Sequence, residues 1–180
     1  VPVLNAGSGK DQHPTQALLD IYTLRRSFER SPGGLMGKVI VCCGDLKRGR
    51  TVRSLSKLLA LYPGVKLVFC APEGFGMRDD VLDYLKTYNV DYRCSTDFKA
   101  EIPQADAIYM TRIQDEHDSG DGTTSKRSYE DFSLKLEHMD LLKEHCAILH
   151  PLPRRDELDA RIDNDNRAKY WRQERNGMWT

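Results

Sequence analysis

The stretch KVIVCCGDLKRGRTVRSL, residues 38–55, contains the pattern from which the fold can be predicted. It begins with an apolar run rich in β-branched residues, which is typical of a strand covered on both faces. Gly44 and Gly49 then suit a tight turn, and the segment after Thr51 has apolar side chains at helical spacing. The stretch therefore predicts a strand, a turn and a helix. Positive charge gathers around the turn, in Lys47, Arg48, Arg50 and Arg53.

The same alternation of apolar runs and amphipathic segments extends along the whole chain. Further runs occur at 65–72, 105–113 and 146–153, with a shorter one in VDYRCS, and helical segments such as MRDDVLDYLKTYN, LKLEHMDLLKEH and RAKYWRQER separate them. Strands that alternate with helices pair in parallel through right-handed crossovers. We therefore predict a three-layer open α/β sheet, mostly parallel, with helices on both faces. The polar segment at 115–128 is predicted to be a mobile loop.

The composition argues against several broad classes of function. The 27 basic and 27 acidic side chains cancel, so the chain has no overall electrostatic footprint for nucleic acid or an anionic membrane. The apolar runs are too short to span a bilayer. The cysteines lack CxxC spacing, and we interpret them as reduced core thiols of a cytosol-like compartment rather than metal or redox ligands. They are Cys42, Cys43, Cys70, Cys94 and Cys146.

The basic turn GDLKRGRT suits an anion. Arg50 and Thr51 fall at the start of the predicted helix, where free N–H groups and the helix dipole favour negative charge. The guanidinium of Arg50 adds a planar fork that matches a carboxylate or a phosphate. The turn has neither a GxxxxGK[ST] loop nor a GxGxxG motif, so the predicted sheet is Rossmann-like without a dinucleotide fingerprint, and no cofactor is expected. The alternative is a solvated basic turn.

The segment YMTRIQ places polar groups at the end of another predicted strand. Arg112 and Gln114 lie two residues apart, so their side chains point to the same face. Because ligands bind at the carboxyl ends of parallel strands, Arg112 is a second candidate anion ligand. The alternative is a salt bridge at the rim between Arg112 and Glu116.

The segment HPLP is expected to be stiff. Pro151 and Pro153 lack N–H donors, which leaves their carbonyls and that of Leu152 as oriented acceptors. A rigid strand exit without a ligand is an equally good interpretation. We interpret His150 as a hydrogen-bonded core or rim histidine rather than a catalyst.

The segment HPTQ places His13 just before Pro14, the favoured first residue of a helix, with Gln16 one turn further. An imidazole, a carboxamide and free backbone N–H groups then surround one point. Such a set can stabilise a developing oxyanion.

Taken together, in this order and at this spacing, HPTQALLD, GDLKRGRTVRSL, YMTRIQ and HPLPRRDE closely resemble the aspartate carbamoyltransferase family, and NRAKYWRQERNGM resembles its closing segment. HPLP favours the aspartate enzymes over the ornithine enzymes, whose corresponding segment typically has a cysteine after the histidine. The resemblance implies carbamoyl transfer from carbamoyl phosphate to L-aspartate in pyrimidine biosynthesis. It further implies a cytoplasmic homotrimer, with no cofactor, nucleic acid or membrane involved.

The resemblance also implies a role for each site residue. Arg50, assisted by Thr51, would hold the α-carboxylate of aspartate, and Arg112, supported by Gln114, would hold the β-carboxylate. The carbamoyl group would be contacted by His13 as a polarising donor and by Gln16. Its NH2 group would donate to the carbonyls of Pro151 and Leu152.

The family's chains have a carbamoyl phosphate domain and an aspartate domain joined by two helices. By that resemblance, residues 1–30 would be a junction segment and linking helix, and residues 31–165 the aspartate-binding α/β domain. Residues 166–180 would begin the return helix toward a carbamoyl phosphate domain outside this sequence. We expect a piece of a longer protein that is inactive alone. The alternatives are a dicarboxylate-binding homologue without turnover and, disfavoured by the missing glycine motif, a nucleotide-binding α/β domain.

Overall fold

The computed structural model describes residues 2–9, 11–112 and 129–180; the segment predicted as a loop at 115–128 lies outside them. The helices of the described part are α1 (Pro14–Ser27), α2 (Arg50–Leu59), α3 (Asp79–Thr87), α4 (Phe98–Glu101) and α5 (Tyr170–Trp179). Its strands are β1 (Val39–Cys43), β2 (Lys66–Cys70), β3 (Asp91–Ser95), β4 (Ala107–Met110) and β5 (Ala147–Leu149). Short 3-10 segments cover Ile102–Gln104, Leu136–Leu141 and Ala160–Ile162.

The five described strands form one parallel sheet in the order β3-β2-β1-β4-β5. The first strand, β1, is central, and β2 and β3 are added on one side of it. The chain then crosses to the other side of β1, where it forms β4 and β5. All the strands therefore end at the same edge, and the turn after β1 lies beside the segment after β4. This arrangement confirms the predicted open α/β sheet and brings the polar strand ends together.

A hydrophobic core fills each face of the sheet. On one face α1, α2 and α3 pack against the side chains of Ile40, Cys42 and Tyr109. On the other face Val41 and Ile108 meet α4 and the segments that follow residue 131. The three-layer prediction is thus confirmed, although short helical turns rather than long helices cover the second face.

Three details of the sequence prediction are wrong. Within LKLEHMDLLKEH only Leu136–Leu141 is helical, as 3-10 turns, because Leu134 is held extended in a bridge to Leu158. The strand predicted over 146–153 ends at Leu149, because the two prolines that follow cannot donate to a ladder. Cys94 is exposed, since it lies on the edge strand β3, whereas the other four cysteines are buried.

Helices α1 and α5 cross beside the sheet and are joined by buried polar contacts. Asn176 Nδ2 donates to Thr23 Oγ1 at 2.9 Å. Gly177 packs so closely on α1 that a Cβ there would lie 3.2 Å from Leu19 Cδ2. The crossing places the first turn of α1 directly beside the end of β5.

Candidate active site

Seven of the eight predicted site residues line one cavity of about 290 Å³ at the carboxyl edge of the sheet. Gly49, Thr111, His150 and Pro153 complete its lining, and the predicted residue Gln114 lies outside the described residues. The seven are His13, Gln16, Arg50, Thr51, Arg112, Pro151 and Leu152. Four separate sequence motifs therefore converge on a single site.

His13 caps the first turn of α1. Its Nδ1 accepts a hydrogen bond from the backbone N–H of Gln16 at 3.4 Å, and its own backbone N–H donates to Ser54 Oγ on α2 at 2.9 Å. Burial and, secondly, the positive charge of Arg50 lower the pKa of His13 below its usual value of 6.5, so the ring is neutral at pH 7. Because Nδ1 is the acceptor, a neutral ring carries its proton on Nε2. His13 therefore offers one neutral N–H donor.

Arg50 is the first residue of α2 and is held by the loop that precedes α1. Its Nη1 donates to the carbonyl oxygen of Gly9 at 3.1 Å. The same nitrogen lies so close to Gly7 that a Cβ there would stand 3.2 Å away. The N-cap residue Gly49 supplies no side-chain cap to α2. The helix start therefore combines a guanidinium with N–H groups that no capping side chain occupies.

The direction in which Arg112 leaves β4 depends on close contact between two strand ends. Thr111 donates to the carbonyl oxygen of Cys43 through its backbone N–H at 2.8 Å and through Oγ1 at 3.0 Å. Gly44 has φ +120°, and a Cβ there would lie 2.4 Å from both the carbonyl oxygen and Oγ1 of Thr111. Only glycine fits this approach, which fixes the path of the chain into Arg112.

The HPLP segment presents acceptors but no free backbone donor. Pro151 and Pro153 have no N–H, and the N–H of Leu152 donates to His150 Nδ1 at 2.8 Å. Leu152 has φ +53°, a conformation rare for a bulky residue, and the same hydrogen bond holds it. The prediction that this segment exposes only carbonyl groups as backbone ligands is consistent with this geometry.

His150 is satisfied within the core, as predicted. It is 1% exposed, and its Nε2 lies 2.8 Å from Oε1 of the buried Glu157. Burial alone would raise the pKa of Glu157, but its hydrogen bonds to the His150 side chain and the Arg155 backbone lower it. The contact with Glu157 fixes the His150 ring, whose Nδ1 accepts from the N–H of Leu152, so the pair stabilises the turn of HPLP.

Sequence reasoning missed a buried polar network beneath the cavity. The carboxylate of Asp20 is fully buried, and its Oδ1 accepts hydrogen bonds from Gln16 Nε2 at 2.9 Å and Gln173 Nε2 at 2.6 Å. Its Oδ2 accepts from Tyr109 at 2.7 Å. Burial raises the pKa of Asp20 to about 7, although these three hydrogen bonds lower it. The detectable signal was a carboxylate on the apolar face of α1, between Ala17 and Leu24.

The remaining basic residues of GDLKRGRTVRSL point elsewhere. Arg53 donates to Asp80 of α3 through Nη1 at 3.0 Å. The guanidinium of Arg48 lies 5.6 Å from the ring centre of Phe75, and Lys47 is exposed. Within the described ranges, no group of three or more His, Cys, Asp or Glu side chains could hold a metal ion. No described helix is long and apolar enough to cross a membrane.

Comparison with known proteins identifies a family for most of the chain. Residues 36–180 match the model of the Asp/Orn binding domain of aspartate/ornithine carbamoyltransferases. The chain is 40% identical over 179 residues to chloroplastic aspartate carbamoyltransferase 1 of Pisum sativum, covering 99% of this chain and 45% of the pea protein. It is 39% identical to the aspartate carbamoyltransferase catalytic subunit of Aliivibrio fischeri, covering 56% of that protein. The chain thus spans about half the length of these relatives.

Solved structures show the same architecture. Aspartate transcarbamoylase from Trypanosoma cruzi in complex with carbamoyl phosphate superposes with a TM-score of 0.89 at 38% identity, covering 99% of this chain and 56% of that one. The catalytic subunit of M. jannaschii aspartate transcarbamoylase superposes with a TM-score of 0.87 at 36% identity, covering 99% of this chain and 56% of that one. The fold therefore has close counterparts among proteins of known structure.

Proposed function

Because the chain belongs to the aspartate/ornithine carbamoyltransferase family, through its Asp/Orn binding domain, we propose that it supplies the aspartate-binding half of an aspartate carbamoyltransferase. The observation that carries the proposal is the single cavity lined by His13, Arg50, Arg112 and the HPLP segment. Two guanidinium groups on separate strand ends suit a ligand with two carboxylates. L-Aspartate is such a ligand, whereas ornithine has only one carboxylate.

In the proposed complex each carboxylate of aspartate meets one arginine. Arg50 and the start of α2, including Thr51, bind the α-carboxylate, while Arg112 binds the β-carboxylate. Gln114, two residues further along the chain, assists Arg112. This division is supported by the separate positions of the two arginines, one opening α2 and the other leaving β4.

The reaction we propose is direct transfer. The neutral amine of aspartate attacks the carbamoyl carbon of carbamoyl phosphate and a C–N bond forms. The C–O bond to phosphate then breaks, and the proton lost by the amine passes to the leaving phosphate. His13 Nε2–H donates to the carbamoyl oxygen as negative charge develops there, and the carboxamide of Gln16 contacts the same group. The carbonyls of Pro151 and Leu152 accept hydrogen bonds from the NH2 of the carbamoyl group. Catalysis then rests on positioning and oxyanion stabilisation.

The proposal includes the domain plan expected from the sequence. Residues 1–30 are the junction and linking helix, residues 31–165 bind aspartate, and residues 166–180 return toward a carbamoyl phosphate half. The relatives, of which the chain covers about half, support this plan. Assembly as a homotrimer through the other half and a cytoplasmic location are part of the same proposal, the latter supported by five free thiols.

The test uses the complete protein, meaning this chain together with its carbamoyl phosphate half. We expect it to form N-carbamoyl-L-aspartate from carbamoyl phosphate and L-aspartate, and to form no citrulline from ornithine. The 180-residue chain assayed alone should show no transfer. A complete protein that binds aspartate without turnover would overturn the enzymatic assignment in favour of a binding module.

A further inference from the structure

The buried carboxylate of Asp20 joins the two walls of the cavity that would meet the carbamoyl group. One wall is Gln16, whose Nε2 lies 2.9 Å from Asp20 Oδ1. The other is HPLP, reached through Gln173: Gln173 Nε2 donates to the same Oδ1 at 2.6 Å, and Gln173 Oε1 accepts from the backbone N–H of His150 at 3.0 Å. A single oxygen atom therefore holds both walls.

This contact also sets the polarity of the Gln16 carboxamide. A carboxylate oxygen accepts hydrogen bonds, so the NH2 side of Gln16 must face Asp20 and its Oε1 faces away. Gln16 lines the cavity together with HPLP, whose backbone offers only carbonyl groups to a ligand. The two walls together can present acceptors to one NH2 group. The two walls offer no hydrogen-bond donor to a ligand that has an acceptor where the NH2 group would be.

We infer that Asp20 is a positioning residue that selects a carbamoyl group, by holding Gln16 Oε1 and the carbonyls of Pro151 and Leu152 in place to accept from one NH2 group. The inference rests on the proposed function, because it assigns that NH2 group to carbamoyl phosphate. Asp20 lies outside the cavity lining and acts through Gln16 and Gln173.

The arrangement operates in either protonation state of Asp20. Both glutamine donors share Oδ1, whereas Oδ2 accepts a hydrogen bond from the hydroxyl of Tyr109 at 2.7 Å. A proton on Oδ2 can be donated to the tyrosine oxygen while Oδ1 keeps both glutamines. Cys42 of β1 also faces Asp20. Burial and, secondly, the charge of Asp20 raise the pKa of the Cys42 thiol to about 12. Asparagine at position 20 can imitate the protonated form.

The experiment measures the affinities of carbamoyl phosphate and acetyl phosphate for the complete protein by calorimetry, in the absence of aspartate. Acetyl phosphate has a methyl group where carbamoyl phosphate has NH2. We expect Asp20→Ala and Gln173→Met to weaken carbamoyl phosphate binding about ten-fold, as loss of an aligned hydrogen bond would. Acetyl phosphate binding should change less than about two-fold. The discrimination is the ratio of the affinity for carbamoyl phosphate to the affinity for acetyl phosphate. In Asp20→Asn it should stay within about three-fold of the wild-type ratio.

The matched control is Asn176→Leu. It removes the hydrogen bond to Thr23 one helical turn further along the same crossing of α1 and α5, and neither residue lines the cavity. Asn176→Leu should leave the discrimination unchanged. An effect of Asp20→Ala or Gln173→Met can then be assigned to positioning rather than to looser packing between α1 and α5. If Asp20→Ala does not fold, Gln173→Met and Asp20→Asn carry the test.

The outcomes separate the two proposals. A wild-type protein that binds no carbamoyl phosphate overturns the proposed function, and with it the role of Asp20. A wild type that discriminates, together with a Gln173→Met variant that discriminates equally well, overturns the role of Asp20 alone. Loss of discrimination in Asp20→Asn would also contradict the positioning role of Asp20. The discrimination would then depend on the charge of Asp20 and not on the oxygen that accepts from both glutamines.

Discussion

The backbone N–H of His13 donates a hydrogen bond of 2.9 Å to Ser54 Oγ, across 41 positions of sequence. Ser54 is 8% exposed and lies on α2 one turn after Arg50. The bond therefore sets the distance between His13, whose ring caps α1, and Arg50, whose guanidinium lies at the start of α2. Both groups belong to the proposed active site.

Replacing Ser54 by alanine should separate these two groups. We expect Ser54→Ala to lower kcat about three- to ten-fold and the free energy of unfolding by about 1 kcal/mol, the usual value of one such hydrogen bond. Steady-state kinetics of the complete protein and urea unfolding provide the measurements. The matched control is Ser56→Ala on the same helix, because the Ser56 hydroxyl only donates to the carbonyl of Val52. Equal kinetic losses in both variants would mean that the link to His13 has no catalytic consequence.

Arg112→Ala should abolish most of the aspartate binding. Removing one partner of a desolvated charge pair costs on the order of 3 kcal/mol or more, so the KM for aspartate should rise at least about one hundred-fold. Arg53→Ala is the control from the same basic face, since Arg53 is engaged with Asp80 of α3 and does not line the cavity. Its KM should stay within about three-fold of wild type. Unchanged kinetics in Arg112→Ala would remove Arg112 from the site.

The activity should depend on the neutral form of His13. Protonation places a hydrogen on Nδ1, where it would face the N–H of Gln16, so the cap and the ring orientation are lost together. Because the pKa of His13 is lowered, activity should fall only as the pH drops below 6.5. His13→Asn retains a capping oxygen but loses the imidazole donor. We expect kcat to fall about ten- to a thousand-fold and this acid limb to disappear. An unaltered pH profile in the variant would assign the limb to another group.

Gly44→Ala should damage both stability and the site. A Cβ would collide with the carbonyl oxygen of Thr111 at 2.4 Å, and the residue would also keep a positive φ. We expect a loss of about 2–3 kcal/mol in the free energy of unfolding and a higher KM for aspartate, because Arg112 follows Thr111 directly. Gly34→Ala isolates the backbone contribution, since φ is +60° there and no atom lies within 4 Å of the added Cβ. Equal stability losses in the two variants would refute the proposed contact.

Asp20 should give the stability a measurable pH dependence. Its folded pKa, raised to about 7, exceeds the unfolded value of 3.8, so between about pH 4 and 7 the folded state binds a proton that the unfolded state does not. Stability from this group therefore decreases as the pH rises through that window, by up to about 1.4 kcal/mol per pH unit. Comparing urea unfolding at pH 5 and 8, Asp20→Asn should lack this part of the slope. An identical slope in variant and wild type would show that Asp20 ionises normally.

Much of the local structure could be predicted from the chain alone. Capping preferences predict Pro14 at the first position of α1, and periodicity predicts β1 from its apolar run and places Arg50 and Thr51 at the start of α2. These features depend on interactions within one or two turns, so a short window of sequence contains the information. The parallel pairing of the strands follows from the alternation of strands and helices.

The groups that orient the site were decided only by tertiary structure. Asp20 and Gln173 stand 153 positions apart, and neither residue type indicates that Gln16 and Gln173 donate to the same buried oxygen of Asp20. The glycine at position 44 suggested a turn, but its necessity comes from the oxygen atoms of Thr111 on another strand. Burial and hydrogen-bond polarity depend on what surrounds a group in space. The sequence by itself therefore determined which side chains reach the carboxyl edge, whereas tertiary packing determined which atoms of those side chains face the ligand.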